Sequence, residues 1–517
     1  ARDPIAEGLQ GLSLQSVRAE EEAAAAIALK MRETLETPGK TCALVERHKF
    51  GGTCLNRGCI PSKILVHPAD TIRECERGEK IGLMIDPPSV DWEKLGQRMW
   101  DKIGENRQIL EAYQSWPGLT VFQGTARFTE PYVLEVQGQV TDTIRSETIV
   151  IGVGGRAKKP AIEGLVETGF VNFESFFGDK FPAAPYKRLL IIGGGIVGTE
   201  FAHVFSSYGA EVTIMDHNPR LAKHEEPEVS ALLEKEFRRV GIRVRTGVEP
   251  VRAESVAGEK QVTVRDKAIG IEEVFTTDEI FIATGFASNS DWLQADRCGL
   301  TMDERGYILT DDHLRTNVPG IYAVGDINGK FQYRHKANYE AYILANNLYE
   351  PEKPERVACY DRVPWAIFTH PQIAHVGLTE QQAREAGYEL LTGINHYSST
   401  AKGYAMGYLP GDEDDGFVKL VVSKDHTILG VHIIGPQAAI LIQPFIYLMN
   451  QGLHVRAEDC DQLETSLQAH DPGRTMLRPH LSFSPDSTAA IDQAMVIHPA
   501  LSEVAAWATG TLKEPNS

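Results

Sequence analysis

Two cysteines five residues apart, Cys54 and Cys59, stand in the string GGTCLNRGCIPSK at residues 51–63. Five residues on a helix make about one and a half turns, so the thiols can meet if the first sits at an entering turn. A short, strained disulfide loop of this kind is reduced more easily than a structural one. A helix N-terminus would also favour the thiolate. Two buried structural thiols, or two ligands of a metal site, are the alternatives. A metal site would want further Cys or His at close spacing, which the string does not offer, so no metal is expected.

A second chemical pattern is Gly193-Gly194-Gly195-Ile196-Val197-Gly198, which fits G-x-G-x-x-G. It follows the apolar run RLLII, opens the stretch IVGTEFAHVFSSYG, and is followed by EVTIMD ending in Asp216. Read together, residues 188–216 form a βαβ unit. Gly193 makes the turn, Gly195 admits a pyrophosphate, and Gly198 lets helix and sheet pack. The anion would sit at the positive helix N-terminus. Asp216 would accept from ribose hydroxyls, which favours NAD over NADP, with Arg220 close by in sequence.

Other elements must place these residues. TCALVE (41–46), ETIVIGVG (147–154), EIFIATG (279–285) and GIYAVGD (320–326) read as strands, each ending in glycine or acid, as strands do where a sheet meets a cofactor. From about residue 356 the texture changes to VPWAIFTHPQIAHVGLT, GFVKLVVSK and TILGVHIIG, which read as strands of a further α+β domain. The uncharged stretch near residues 427–453 is long enough to suggest a membrane span, but Gly435-Pro436 and Pro444 break it. It reads as a strand and then a helix. Residues 461–494 are polar and proline-rich and read as a loop or insertion.

Length and charge bound the function class. At roughly 100–200 residues per domain, 517 residues suggest three or four domains. A formal net charge of -19 disfavours nucleic acid and anionic membranes as partners. Seven scattered cysteines do not resemble a secreted disulfide framework. No secretory signal is visible, and a cytoplasmic location is expected.

The 51–63 string resembles the active-site signature of the class I pyridine nucleotide–disulfide oxidoreductases, a family that includes dihydrolipoamide dehydrogenase, glutathione reductase and mercuric reductase. The resemblance runs from about residue 40 to about 507, apart from 461–494. It implies an α/β fold with two doubly wound, Rossmann-like nucleotide-binding domains and a C-terminal α+β dimerisation domain. The FAD-binding domain would take residues 1–164 and 285–355, the NAD-binding domain 165–284, and the interface domain 356–517. Cys54 would be the thiol that meets the substrate and Cys59 the one that faces the flavin, with Lys63 near the flavin ring and paired with Glu200. Glu46 would bind the adenosine ribose, and Asp326, after Gly325, the ribitol chain. His335-Lys336-Ala337 resembles the segment beside the flavin pyrimidine. Gly52, Thr53, Gly124, Ala126, Gly154 and Gly285 complete the implied cofactor contacts.

Near the C-terminus, His498-Pro499 and Glu503 resemble the family's HPxxxE element, whose histidine shuttles a proton and whose glutamate orients it. In the family this histidine reaches the other subunit's disulfide, so the resemblance implies a homodimer. His370-Pro371, read as part of a strand, and His470 lack an acid at the right offset. The implied activity passes electrons between NAD and a small-molecule or lipoyl-domain dithiol, with dihydrolipoamide dehydrogenase as the nearest named activity.

Two departures bear on that expectation. The family's first GxGxxG would fall near Ala28, yet no glycine occurs between Gly11 and Gly39, and Glu20, Glu21 and Glu22 stand where a diphosphate would dock. Either the N-terminal stretch is altered or FAD is held without its usual phosphate loop. ATGFASNSD (283–291) departs from the common ATGRxPN at Phe286 and Ser288, and resembles a branch similar to mycothione reductase. Alternatives are therefore a reductase of another disulfide or of mercuric ion. From a different class comes a flavin-poor, non-catalytic homologue acting as a binding subunit.

Overall fold

The computed structural model describes residues 41–86, 88–349, 354–423, 428–450 and 495. At its centre lies a five-stranded parallel sheet in the order Arg243–Thr246, Glu211–Asp216, Arg188–Ile192, Glu279–Ile282, Val171–Asn172. Its strands are short and buried on both faces, so they read as continuous apolar runs such as Leu189 to Ile192. Helix Ile196–Ser207 makes the crossover from the Arg188 strand to the Glu211 strand, and its residues are buried almost all round. A three-stranded antiparallel sheet, Val248–Val256, Glu259–Asp266 and Glu272–Thr277, fills the last crossover.

On one side of this sheet, Cys42–Glu46 pairs in parallel with Leu119–Glu130, which continues into the antiparallel strands Val133–Gly138 and Thr141–Arg145. Ile149–Ile151 pairs in parallel with Ile321–Ala323, and Gly155–Ala157 pairs antiparallel with Phe286–Ser288. The C-terminal unit is a five-stranded antiparallel sheet ordered Trp365–Ile367, Gln372–Gly377, Ile428–Gly435, Phe417–Ser423, Leu390–His396. The expected mixed α/β architecture with a C-terminal α+β unit is therefore the one the chain adopts.

Two sequence readings need correction. His370-Pro371 lies in the turn between strands Trp365–Ile367 and Gln372–Gly377, not within a strand. The apolar stretch after Gly435 is not one helix but two short ones, Ala438–Leu441 and Gln443–Asn450, because Pro444 has no amide hydrogen to continue a ladder. Among the described residues no helix is long and apolar enough to cross a membrane. The expected insertion at 461–494 lies outside the described residues.

The main core is continuous across these units. It joins Leu65 and Ala69 of helix Cys59–Arg77, Met99 of helix Trp92–Gly104, Phe205 and Ile214 of the central unit, and Ile433 of the C-terminal sheet. Trp92, Leu95, Met99 and Ile103 repeat every three or four residues and bury one helix face. The Asp91 side chain starts that helix by accepting from the Lys94 amide at 2.9 Å. Met99 is fully buried. Met99→Ala is expected to cost about 2–5 kcal/mol through the cavity it leaves. That core fixes helix Cys59–Arg77, and with it Cys59.

Candidate active site

One cleft of about 2220 Å³ runs between the sheets. Cys54, Cys59, Lys63 and Glu200 line it, and so do Glu46, Gly52 and Thr53. Gly124, Ala126, Gly154, Gly285, Gly325, Asp326 and Ala337 line the same cleft, as do Gly193, Gly195 and Asp216. Of the described residues expected at the site, Gly198 and Lys336 stand back from it. The strands deliver these groups by their C-terminal ends, where an open α/β sheet leaves room for a ligand.

The two cysteines lie on either side of a helix break. Cys54 belongs to the short helix Gly52–Arg57 and Cys59 is the first residue of helix Cys59–Arg77. Gly58 between them is pressed against the Thr53 carbonyl, where a Cβ would come to 2.9 Å, so the turn that brings the thiols together needs a glycine. The Cys54 thiol donates to Cys59, and the charges of Lys63 and Arg334 add to that. Together they hold Cys59 below the usual thiol range against the opposing effect of burial. A helix N-terminus acts in the same direction.

Lys63, one turn along the same helix, meets Glu200 with Nζ to Oε2 at 2.6 Å. The other Glu200 oxygen accepts from the Phe368 amide at 2.9 Å. The Phe368 ring also lies 4.4 Å from the Lys63 ammonium, a cation–π contact. The ammonium is thus held beside the thiol pair by two residues from distant parts of the chain, Glu200 and Phe368, which are themselves bonded to each other.

The glycines of the 193–198 turn divide their work as spacing predicts. A Cβ at Gly193 would come within 2.2 Å of the Ala283 carbonyl oxygen, and one at Gly198 within 1.8 Å of the Gly193 oxygen. Gly195, at the N-cap of helix Ile196–Ser207, has open space beside it and faces the cleft. Unpaired amides there suit a diphosphate. Asp216 is already engaged. It accepts from the Gly194 amide at 2.5 Å, the Asn218 amide at 2.7 Å and Asn218 Nδ2 at 2.6 Å. Its oxygens retain lone pairs for a ribose hydroxyl, but its first effect is to hold the glycine turn. Arg220 donates to the carbonyls of Lys223 and Glu225 at 3.0 and 3.1 Å, so its guanidinium closes the neighbouring loop.

The Asp326 carboxyl lines the cleft with no hydrogen-bond donor to it among the described residues, and burial pushes it up to about 6. A ligand hydroxyl donating to it would remove that penalty. Beneath it lies a network that sequence reading did not reveal. Lys336 is fully buried and donates to the Gly325 carbonyl at 3.0 Å and Asn328 Oδ1 at 2.6 Å. Glu340 accepts from the Gly325 amide at 2.7 Å and Asn328 Nδ2 at 2.7 Å. Lys336 and Glu340 stand four apart on helix Arg334–Tyr349, and that i,i+4 spacing was the available signal. Of the expected segment 335–337, His335 and Ala337 line the cleft while Lys336 supports it from behind. A long cleft, the unpartnered Asp326 carboxyl facing it and an open helix N-terminus fit a dinucleotide flavin and a nicotinamide dinucleotide.

Other site residues escaped sequence reading. Trp292 on the cleft wall lies against two guanidinium groups, Arg47 at 3.8 Å and Arg156 at 4.4 Å from its ring. His370 finds an acid through space, with Nε2 3.0 Å from Glu74. His498 and Glu503, and the segment from Glu20 to Glu22, lie outside the described residues.

Comparison with known proteins agrees with this geometry. Residues 22–341 match the pyridine nucleotide-disulphide oxidoreductases, and residues 363–466 match the dimerisation domain of that group. A dihydrolipoyl dehydrogenase of Chlamydia pneumoniae is 33% identical over 406 residues, covering 77% of this chain and 83% of that protein. A mycothione reductase of Mycobacterium tuberculosis (strain ATCC 25618 / H37Rv) is 30% identical over 426 residues, covering 80% of this chain and 89% of that protein. Among solved structures, the HOCl-induced flavoprotein disulfide reductase RclA from Escherichia coli superposes with a TM-score of 0.70. It is 24% identical, and the match covers 82% of this chain and 91% of that one, a likeness of fold. The chain belongs to the pyridine nucleotide-disulphide oxidoreductases, a family of FAD- and NAD(P)-dependent disulfide oxidoreductases.

Proposed function

We propose that the protein passes electrons between NAD(H) and a small dithiol of the dihydrolipoyl class through a Cys54–Cys59 redox pair, as a homodimer. The observation that carries this reading is the Cys54–Cys59 pair, with Cys59 at a helix N-terminus beside the Lys63–Glu200 bridge. Bound FAD supplies the two-electron relay between the thiol pair and the nicotinamide. Glu46, Thr53, Asp326 and Ala337 would hold it. The glycine turn would hold the nicotinamide dinucleotide, and Asp216 favours the form without a 2′-phosphate.

In the oxidised enzyme a substrate thiolate attacks the Cys54 sulfur, and the Cys54–Cys59 bond breaks. Cys59 leaves as a thiolate, which Lys63 and the helix N-terminus stabilise. The second substrate thiol then displaces Cys54, closing the substrate disulfide. Of the two protons the substrate thiols lose, one passes to His498 of the partner subunit, which that subunit's Glu503 would orient, and the other ends on the Cys54 thiolate as it is displaced. Dihydrolipoyl dehydrogenases recur among the relatives, and both thiols, Lys63 and Glu200 share one cleft, which favours an enzyme over a binding subunit.

The test is NADH formation from NAD and dihydrolipoamide by flavin-loaded protein. Turnover is expected, with Cys59→Ser and Cys54→Ser both inactive. Cys54→Ser should still bind flavin, while NADH should still bleach its visible band. No NADH from dihydrolipoamide, with brisk reduction of another disulfide by NADH, would move the substrate elsewhere in the family.

A further inference from the structure

Behind the cleft, where the loop before helix Pro227–Arg239 meets the C-terminal sheet, Glu225, His375 and His432 converge. They are 2%, 1% and 0% exposed. His375 and His432 are directly paired across strands Gln372–Gly377 and Ile428–Gly435, so their side chains share a face. One ligating atom from each of the three lies within 4.8 Å of the others.

The hydrogen bonds say which nitrogens are available. His375 Nε2 lies 2.9 Å from the Gly377 carbonyl, and His432 Nε2 lies 3.0 Å from the Leu378 carbonyl. A carbonyl only accepts, so both Nε2 atoms carry hydrogen. In the neutral rings both Nδ1 atoms are therefore bare lone pairs. His432 Nδ1 is buried without a partner. His375 Nδ1 sits 3.1 Å from Glu225 Oε2, so a lone pair faces a carboxylate. That arrangement is repulsive unless a proton on His375 Nδ1 or a metal cation joins it, and the bare His432 Nδ1 beside it gives the cation a third donor. A backbone carbonyl on the far nitrogen is also how metal-ligating histidines are usually fixed in tautomer and direction. Glu225 is held in turn, its Oε1 accepting from Trp365 Nε1 at 2.5 Å, and the Trp365 ring stacks 3.8 Å from that of His375.

We infer that Glu225 Oε2, His375 Nδ1 and His432 Nδ1 bind one divalent transition ion of the zinc class. Two donors bonded at about 2.0–2.1 Å to a tetrahedral ion are about 3.3 Å apart, close to the Glu225–His375 separation. Two imidazoles and a carboxylate suit zinc better than calcium or magnesium. Glu225 and Trp365 also line the cleft, which gives the ion an entry path and leaves its fourth position to water. The neighbouring acidic cluster, Glu226, Glu228 and Glu380, differs, because the Lys419 ammonium already sits 2.9–3.0 Å from all three. The ion would tie the glycine-turn unit to the C-terminal sheet, a structural role independent of the reductase reading.

The test uses full-length protein carrying Cys54→Ser and Cys59→Ser, so that the thiol pair cannot take the probe. After stripping with chelator, zinc chloride is titrated by calorimetry. One ion per chain is expected to bind, with a rise in melting temperature. Glu225→Gln and His375→Gln, each close in shape to the original, should weaken binding at least tenfold. Cobalt(II) in the same site should give visible bands without the thiolate charge-transfer band. Failure of zinc to bind saturably, or equal affinity in Glu225→Gln, overturns the inference and leaves a plain imidazolium–carboxylate pair. Should a variant melt early, the zinc-dependent shift of the parent protein still decides.

Discussion

Adding one methyl group at Gly195 and at Gly198 should have opposite consequences. At Gly198 the new Cβ would lie 1.8 Å from the Gly193 carbonyl oxygen and 3.3 Å from the Ala283 side chain. Backbone must move, and overpacking of this kind costs about 1–3 kcal/mol or more. At about 2–4 °C per kcal/mol, Gly198→Ala should melt several degrees below the unaltered protein. Gly195 has φ −82 and ψ −167, which alanine adopts freely, and nothing lies within 4 Å of its Cβ position. Losing a glycine N-cap costs about 0.5–1 kcal/mol, and the stiffer unfolded chain returns about 0.4–1 kcal/mol. Gly195→Ala should therefore melt within about 2 °C of the parent.

Binding should reverse the order of harm. The open space at Gly195 is where a diphosphate would approach the helix N-terminus, and the methyl would push it away. One displaced hydrogen bond to a charged oxygen costs about 1.5–3 kcal/mol, or about 10- to 150-fold in affinity. Thermal melting and NADH titration on the same samples separate the two effects. If Gly195→Ala binds NADH as tightly as the parent, the diphosphate does not sit at that turn. If Gly198→Ala melts at the parent temperature, the close approach of helix to turn is not what requires glycine there.

Three more outcomes follow from the same site. Asp326 holds its proton up to about pH 6 in the folded chain, against about 3.9 when unfolded. Its protonation therefore favours the flavin-free fold below about pH 4, and that contribution is lost as pH rises through about 6. Asp326→Asn should flatten the fall in melting temperature across this window and weaken flavin binding. Asp216→Ala should bring the kcat/KM values for NADH and NADPH closer together, and equal values in the unaltered protein would remove Asp216 from the choice. His498→Gln should lower dithiol turnover by about 10²–10⁴-fold with flavin content unchanged. Heterodimers of Cys54→Ser and His498→Gln subunits should regain one intact site, and verified heterodimers as inactive as their parents would place His498 in its own subunit.

What could be read without the structure was local. The 188–216 unit announces itself because strand, glycine turn, helix and terminal acid are contiguous, each with its own periodicity or sterics. The Cys54–Cys59 string is likewise short. Pairings across the chain were not readable by spacing. Lys63 and Glu200 stand 137 positions apart and Glu200 and Phe368 stand 168 apart, so only resemblance offered the first and nothing offered the second. His370 was set aside for lacking an acid nearby in sequence, yet Glu74 meets it from 296 positions away. Asp216 was read as facing a ligand, and sequence could not show that the turn it follows would claim its oxygens first. Helix Trp92–Gly104 carries visible apolar spacing at Trp92, Leu95, Met99 and Ile103, but that spacing alone does not say which core its face meets.

Glu200 has a mechanical consequence. Its two carboxylate oxygens reach the thiol-bearing helix and the edge of the C-terminal sheet, while its own helix carries the glycine turn. One side chain thus joins two helices and the edge of a sheet at a single point. An anchor of that kind opposes sliding of the thiol-bearing helix against the C-terminal sheet. Glu200→Ala would then loosen the joint as well as discharge Lys63, and hydrogen exchange should quicken together in the Phe368 turn and at the start of helix Cys59–Arg77.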